Sequence, residues 1–579
     1  MPLRTFWLGI FLVALPNALQ AQNRPAESAS PLPSVTRTYA ITQARIVVAP
    51  GHIIPRGTVV LRNGLIEAVG PNVRVPSDAF VIQGDSLVVY AGFIDGLSHV
   101  GIPAPKRDDE SRQSAQRPAN PGNPPAERAG ITPERDVRLL LKPDDPAVEQ
   151  LRRAGFTMAH VVPREGMLAG RGAFIFLRGT SADEMIYRHD VSLFAQLEPA
   201  RGVYPATDMA VLARFRQLYR EAARRHRLNS LYATNPSGLE PPPYDAVHAA
   251  FFSVLEGQKP VYFYTEDALD LHRVLALHQE LNFPLALAGL AGSFDVIEKL
   301  RHTNVPLFLT LDLPEAPRDT ANKAKLPSDD SLAAQYRPNL RVADYRNTEA
   351  ELQNLKARQA LERIKYYETA GRLHAAGLRF GFATRDVDSK KIATHLRTLV
   401  KYGLPEEAAL AALTIDAARL LGIDQAVGTV EPGKLANLVI TDGPLFDEKT
   451  RIRYVFVAGE RFEIQGPQAE TQRPSPETPA PVADGSWTCT VSSPDGPVDG
   501  TLRIHQGSGT LSSSALPQPA TLENLRLQGQ QLSFGFFTSA FGHVTARLTL
   551  TGQTAEGSID VPGYGSLPLR CQRTEPPRR

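Results

Sequence analysis

The most informative segment of this chain is Tyr90-Ala91-Gly92-Phe93-Ile94-Asp95-Gly96-Leu97-Ser98-His99. An apolar run at 87–90 leads into it and is typical of a buried strand, which then meets glycine, an acid and a histidine. Side chains two apart on a strand point to the same side, so Leu97 and His99 share a face. The segment therefore predicts a buried strand that carries a single imidazole, with an aliphatic side chain beside it.

Short strands lie on both sides of this segment. Arg62-Asn63-Gly64 separates two apolar runs, and Asn-Gly is a strong hairpin signal because both turn residues need positive φ. Similar strands return at 437–441 and 454–457. A few strands at either end cannot bury their faces alone. Residues 37–90 and 422–464 are therefore predicted to form one composite β-sandwich.

Strands and helices alternate between these flanks, over residues 91–421. The strand candidates are 157–162, 174–177, 261–264, 285–288, 307–311 and 378–382, and the helix candidates are 208–226, 266–281, 348–376, 389–402 and 405–421. This alternation favours a parallel barrel, although alternation alone does not separate a barrel from an open sheet. The polar segment 101–135 directly follows His99, at the end of the barrel where active sites lie. It is either a loop of the site or a flexible loop without function.

The C-terminal part has a different pattern. A Pro-rich linker at 465–484 precedes short alternating strands within 485–572, which predict an antiparallel β domain. Its two cysteines, Cys489 and Cys571, are the only ones in the chain. In an oxidising compartment they are expected to form a disulfide, and two buried thiols are the alternative. The predicted fold class is α/β: a (β/α)8 TIM-like barrel with a β-sandwich from both flanks and this C-terminal domain.

Composition and the first residues bear on compartment and partners. The 579 residues carry a formal net charge of +2, which gives no reason to expect nucleic acid or an anionic membrane as partner. A positive start, an apolar run and a small residue near Ala21 predict a signal peptide at 1–21, followed by a disordered linker at 22–36. We expect an exported protein, periplasmic or extracellular, with no membrane span. Its oligomeric state stays open.

Four further segments carry a family resemblance. They are Gly155-Phe156-Thr157, Gly170-Arg171-Gly172-Ala173, the run from Leu413 to Gly422, and the closing run Gly428-Thr429-Val430-Glu431-Pro432-Gly433-Lys434-Leu435-Ala436-Asn437-Leu438-Val439. With the opening segment, they resemble the imidazolonepropionase-like branch of the amidohydrolase superfamily over residues 38–463. The resemblance implies the barrel and the composite β-sandwich that the closing run completes.

The same resemblance locates the site. The superfamily motif Pro-Gly-Phe-Ile-Asp-x-His-x-His holds a metal through both histidines, and its first histidine position here is Leu97. The fifth-strand histidine position falls on Tyr264 and the sixth-strand position on Gly289. The eighth-strand aspartate position falls on Arg385 or, with a slip of one residue, on Asp386.

The implied site is incomplete. His99 and Asp386 are the expected metal ligands, Asp386 the expected catalytic residue, and Tyr264 and Arg385 the expected substrate-binding residues. A zinc site needs three protein ligands, so we expect at most one weakly held divalent ion such as zinc. Other candidate ligands are His160, Glu165 and Asp388, although His160 on an apolar strand is more simply a core histidine. His374 and His395 are expected at helix surfaces.

Three functions remain open at this point. The resemblance implies a hydrolase of non-peptide C–N bonds in a small substrate, such as a cyclic amide, with an incomplete metal site. The alternative is a catalytically inactive descendant that binds a small ligand or a protein at the barrel mouth. A third possibility makes the C-terminal β domain a glycan-binding or envelope-binding module, although its sequence shows no distinctive site.

Overall fold

The computed structural model describes most of the chain. The described residues are 38–104, 120–238, 240–315, 328–338, 348–385, 387–464, 485–493, 496–505, 508–514, 516, 518–528, 531–538, 542–551, 553–561 and 565–575. The predicted signal peptide, both predicted linkers and Asp386 lie outside these residues, as does part of the excursion after His99. The chain divides into two compact units, 1–467 and 468–579.

Strands from both flanks of the first unit pair in one sheet. They are β1 (Thr38–Ala49), β2 (His52–Arg62), β3 (Leu65–Gly70), β4 (Phe80–Gln83), β5 (Val88–Ala91), β14 (Leu438–Thr441), β15 (Ile452–Val457) and β16 (Glu460–Glu463). The order is β16-β15-β14-β5-β1-β2-β3, with β4 also paired to β1. The flanks join where β5 pairs antiparallel to β14. Asn63 and Gly64 turn the predicted hairpin with φ of 51° and 83°.

The barrel lies between these flanks. Its strands are β6 (Phe93–Ser98), β7 (Phe156–Val161), β8 (Leu168–Phe176), β9 (Ile186–Gln196), β10 (Val261–Thr265), β11 (Leu285–Gly289), β12 (Leu307–Thr310) and β13 (Gly381–Ala383). They pair in this order from β6 to β13. All neighbours are parallel except that β8 runs antiparallel to β7 and β9. The amide of Thr384 donates to the carbonyl of Leu97 at 3.1 Å, which brings β13 back to β6.

Helices connect the barrel strands. They are α1 (Pro146–Arg153), α2 (Ala182–Met185), α3 (Asp208–Thr234), α4 (Ala246–Ala249), α5 (Phe252–Leu255), α6 (Ala268–Leu281), α7 (Ile297–Arg301), α8 (Asp329–Ala333), α9 (Thr348–Ala375), α10 (Ile392–Lys401), α11 (Glu406–Leu413) and α12 (Ile415–Leu420). Their apolar faces and the outer faces of the strands form one large core. No helix in the described part of the chain is long and apolar enough to cross a bilayer.

The second unit is an antiparallel sheet. Its strands are β17 (Gly485–Ser493), β18 (Gly496–His505), β19 (Ser508–Ser513), β20 (Ala520–Thr521), β21 (Glu523–Gln528), β22 (Gln531–Thr538), β23 (Gly542–Thr551), β24 (Thr554–Val561) and β25 (Gly565–Glu575). They follow the order β20-β19-β18-β17-β25-β24-β23-β22-β21. Cys489 and Cys571 face each other on β17 and β25 and form a disulfide with Cα atoms 3.9 Å apart. The predicted fold class and the predicted disulfide are confirmed.

Candidate functional site at the barrel mouth

His99 stands directly after β6, at the carboxyl end of the first barrel strand, and is buried. Its Nδ1 lies 2.9 Å from the carbonyl oxygen of Val162, which can only accept, so Nδ1 carries the proton. Nε2 therefore presents a lone pair to the barrel mouth. Burial, with the charge of Arg385 as the second cause, lowers the pKa of His99 to about 3. The imidazole is neutral at physiological pH.

Arg385 uses that lone pair. Its Nε donates to Nε2 of His99 at 3.0 Å. The guanidinium carbon lies 3.9 Å from the ring centre of Tyr264, a stacked cation–π contact, and 5.9 Å from the ring centre of Phe194. Arg385 and Tyr264 are both half-buried. Both residues expected to bind substrate are therefore together, with His99, at the mouth.

A second contact between the same two strands lies beneath this one. The Asp95 carboxylate accepts from the amide of Thr384 at 3.0 Å, from the Thr384 hydroxyl and from the amide of Leu97 at 3.1 Å. Asp95 is completely buried. Burial raises the pKa of its carboxyl to about 7. Sequence reasoning missed the pair, since Asp95 and Thr384 are 289 residues apart.

The barrel interior around Leu97 is apolar. Leu97, at the first ligand position of the family motif, packs in a buried cluster with residues from most barrel strands. The cluster comprises Leu97, Val162, Ala169, Phe194, Tyr262, Ala286, Ala288, Phe308 and Ala383, with Tyr264 against its edge. Among the described residues, no partner lies within hydrogen-bond distance of the buried hydroxyl of Tyr262. The cluster supplies packing rather than metal ligands.

Gly289, at the sixth-strand ligand position, has a backbone that excludes other residues. Its φ is +96°, in the left-handed region that L side chains rarely adopt. A Cβ atom here would also overlap the carbonyl oxygen of Thr265 and come within 2.9 Å of the Tyr264 ring. The glycine therefore lets the fifth and sixth strands and the Tyr264 ring approach closely, and a histidine does not fit.

His160 is a core residue rather than a site residue. It is completely buried, and its Nδ1 donates to the carbonyl of Gly96 at 3.1 Å. Its Nε2 accepts from the hydroxyl of Ser192 at 2.7 Å, and its ring lies 4.3 Å from that of Tyr262. Burial lowers the pKa of His160 to about 4. Both ring nitrogens have protein partners, so this imidazole links the three strands β6, β7 and β9.

The remaining candidate ligands are not gathered at the mouth. Glu165 and Asp388 are exposed, and Asp388 accepts from the amide of Lys390 at 3.0 Å. Asp386 lies outside the described residues. Among the residues that the structure describes, no three His, Cys, Asp or Glu side chains lie together as a metal site. The described side chains at the ligand positions are leucine, tyrosine, glycine and arginine, which do not fit a binuclear metal centre.

Comparison with known proteins agrees with this architecture. A sequence model of the amidohydrolase family matches the segment from the last residue of β10 to beyond β16. Over residues 265–466 the chain is similar to the amidohydrolase family. The predicted resemblance to the amidohydrolase superfamily is confirmed, and the narrower resemblance to its imidazolonepropionase-like branch stays a prediction. No curated protein matches the chain significantly.

Several solved structures are similar to this chain. An amidohydrolase from Thermotoga maritima is 20% identical with a TM-score of 0.57, covering 74% of this chain and 100% of its own. A putative prolidase from Bifidobacterium longum is 17% identical with a TM-score of 0.43, covering 75% and 97%. Phenylurea hydrolase B is 15% identical with a TM-score of 0.41, covering 73% and 96%. The likeness to the Thermotoga maritima protein, at 20% identity, shows the fold alone.

Proposed function

We propose that the mouth of this amidohydrolase-family barrel binds a small organic ligand through a carboxylate group and lacks the two-metal hydrolytic mechanism. One observation carries the proposal: the guanidinium of Arg385 donates to Nε2 of His99 and stacks on Tyr264. A cation belonging to the protein thus lies beside the histidine that resembles a metal ligand.

Electrostatics support the loss of the metals. A zinc ion would need the Nε2 lone pair at about 2.0–2.1 Å, and that lone pair accepts from Arg385. Two like charges this close repel strongly in a partly buried site. Neutral His99 would therefore have to give up the guanidinium before it could bind a dication. The aliphatic Leu97 offers no second ligand on the same strand.

The same groups suit a carboxylate. A guanidinium is planar, permanently charged and matched in shape to a carboxylate. The guanidinium of Arg385 lies near the rings of Tyr264 and Phe194, which limits the rotamer entropy that binding would cost. Since the arginine is half-buried, the attraction for an anion is less screened than at an open surface.

Hydrolysis of a C–N bond is the second candidate, because residues 265–466 match a family named for that chemistry. It would have to proceed here without the usual imidazole ligands. The two candidates differ in their products: hydrolysis releases an amine and an acid, whereas a binding protein returns its ligand unchanged.

Export is proposed alongside either function. The sequence supports it through the apolar run between Phe6 and Leu15. The disulfide between Cys489 and Cys571 supports it independently, because such bonds persist in oxidising compartments.

Calorimetry with paired probes tests the proposed function. N-acetylated amino acids carry a carboxylate, and their C-terminal amides do not. We expect the acids to bind the full chain, the amides to bind at least tenfold more weakly, and Arg385→Met to abolish the preference. The matched control is Arg152→Met, because Arg152 is also half-buried and stacked, 3.8 Å from the Phe462 ring. Equal binding of acids and amides, or release of free amino acid, would contradict the proposal.

A further inference from the structure

Two contacts join the first and eighth barrel strands, and they share a geometry. Asp95 and His99 lie on β6 or directly after it, and Thr384 and Arg385 directly follow β13. Asp95 accepts from Thr384, and His99 accepts from Arg385. We call these four residues the strand seam. The lower contact fixes the residue that immediately precedes Arg385.

The lower contact is rigid because it is buried and uses several hydrogen bonds. Asp95 is 0% and Thr384 5% exposed. The Thr384 amide donates to both the Asp95 carboxylate at 3.0 Å and the Leu97 carbonyl at 3.1 Å. Close packing surrounds it, since a Cβ atom on Gly96 would overlap the ring of Phe308. An unpaired carboxyl in such a place would be costly.

The upper contact depends on where the backbone of residue 385 stands. The side chain of arginine has many rotamers, so its guanidinium reaches His99 at 3.0 Å reliably only if its own Cα is fixed. Neighbouring Cα atoms are about 3.8 Å apart, and β13 itself is only three residues long. Thr384 is thus the nearest anchor that can fix this Cα.

We propose that Asp95 and Thr384 are positioning residues that hold the Arg385 guanidinium against His99 and Tyr264. The inference rests on the proposed function only in that Arg385 serves a carboxylate ligand. The positioning itself is a property of the chain without ligand, so it is tested without ligand.

The experiment follows the hydrogen bond between Arg385 and His99 through the ¹⁵N chemical shifts of the His99 ring nitrogens. The full chain is labelled with ¹⁵N-histidine, and His99→Gln assigns the His99 signal. Arg385→Met gives the Nε2 signal of an imidazole without its donor. Thr384→Val removes the hydroxyl and keeps the shape. We expect Thr384→Val to move the signal most of the way to its position in Arg385→Met, and Thr384→Ser to restore it.

The matched control is Thr265→Val. Thr265 is also buried, and its hydroxyl also joins two barrel strands, by a hydrogen bond of 3.4 Å to the carbonyl of Ala288. This variant should leave the His99 signal in place, although it loses a similar bond. If Thr384→Val does not fold, Thr384→Ala, which is smaller and cannot clash, replaces it.

The outcomes separate this inference from the proposed function. A folded Thr384→Val or Thr384→Ala protein with an unchanged His99 signal overturns the positioning role. A signal that moves equally in Thr265→Val does so too, because the effect is then general loosening. If the signal moves as expected but no N-acetylated amino acid binds, positioning stands and the proposed function fails. If both stand, Thr384→Val should weaken binding by roughly tenfold or more.

Discussion

The Nε of Arg385 donates to Nε2 of His99 at 3.0 Å, so an arginine engages the one histidine that keeps its place in the family motif. The two residues are 286 positions apart, at the ends of the first and eighth barrel strands. The resemblance places the other ligand positions at Leu97, Tyr264 and Gly289. The side chains at the barrel mouth are therefore arranged around the guanidinium of Arg385.

His99 and His160, two of the buried histidines, should make the protein sensitive to acid. Their folded-state pKa values, about 3 for His99 and about 4 for His160, lie below the ordinary value near 6.5. The unfolded chain therefore binds protons that the folded chain does not, and stability falls as pH falls from about 6.5. Urea unfolding at pH 7.5 and pH 5 measures this. His160→Gln should reduce the loss, and the exposed His189→Gln should not.

Asp95 should act in the opposite direction. Its folded-state pKa of about 7 lies above the ordinary value near 3.9. The folded chain holds a proton that the unfolded chain releases, so this group costs stability as pH rises from about 4 to 7, on the order of 4 kcal/mol in all. Asp95→Asn removes the titration. The difference in unfolding free energy between variant and wild type should shift in favour of the variant between pH 5 and pH 8. A constant difference contradicts this.

Gly289 should not tolerate a side chain. Gly289→Ala adds backbone strain at φ +96° and an overlap with the Thr265 carbonyl. Gly377→Ala is the control, since Gly377 has φ +76° with open space around it. Strain alone costs about 1–2 kcal/mol, so we expect Gly377→Ala to lose that much and Gly289→Ala clearly more. Chemical denaturation measures both. Equal losses would show that the overlap relaxes without cost.

The disulfide should stabilise the second unit and leave the stability of the barrel unchanged. Cys489 and Cys571 are 82 residues apart and close a loop that spans most of the antiparallel sheet. Such a crosslink stabilises by roughly 2–4 kcal/mol, mainly by restricting the unfolded chain. Calorimetry with and without reductant should show one transition lowered and the barrel transition unchanged. Two free thiols in protein recovered from the periplasm would refute the bond in the cell.

Local signals in the sequence predicted most of the fold. The closing run 428–439 and the Asn63-Gly64 turn identified the composite sheet, because turns and apolar runs are local. The predicted helix 405–421 is broken at Thr414, which has φ −127° and ψ −95°. Of the β8–β9 hairpin, only residues 174–177 were predicted as a strand. The antiparallel direction of β8 was not predicted, because the sequence pattern does not distinguish a parallel from an antiparallel strand.

The site was less accessible to sequence reasoning because its contacts are long-range. The positions of Tyr264 and Arg385 followed from motif alignment, but the hydrogen bond between Arg385 and His99 did not. His395 was expected at a surface and is buried, with Nδ1 donating 2.6 Å to the Leu311 carbonyl. The roles of Asp386 as catalytic residue and of His99 and Asp386 as metal ligands stay predictions.

The zinc content of the purified protein tests whether Arg385 has replaced a metal beside His99. Full-length protein, produced with added zinc and dialysed against metal-free buffer, is analysed by mass spectrometry of its elements. We predict less than one equivalent of zinc per chain, with the same value in His99→Gln, because Arg385 rather than a metal is the partner of His99. Two tightly held equivalents per chain that are lost in His99→Gln would contradict it.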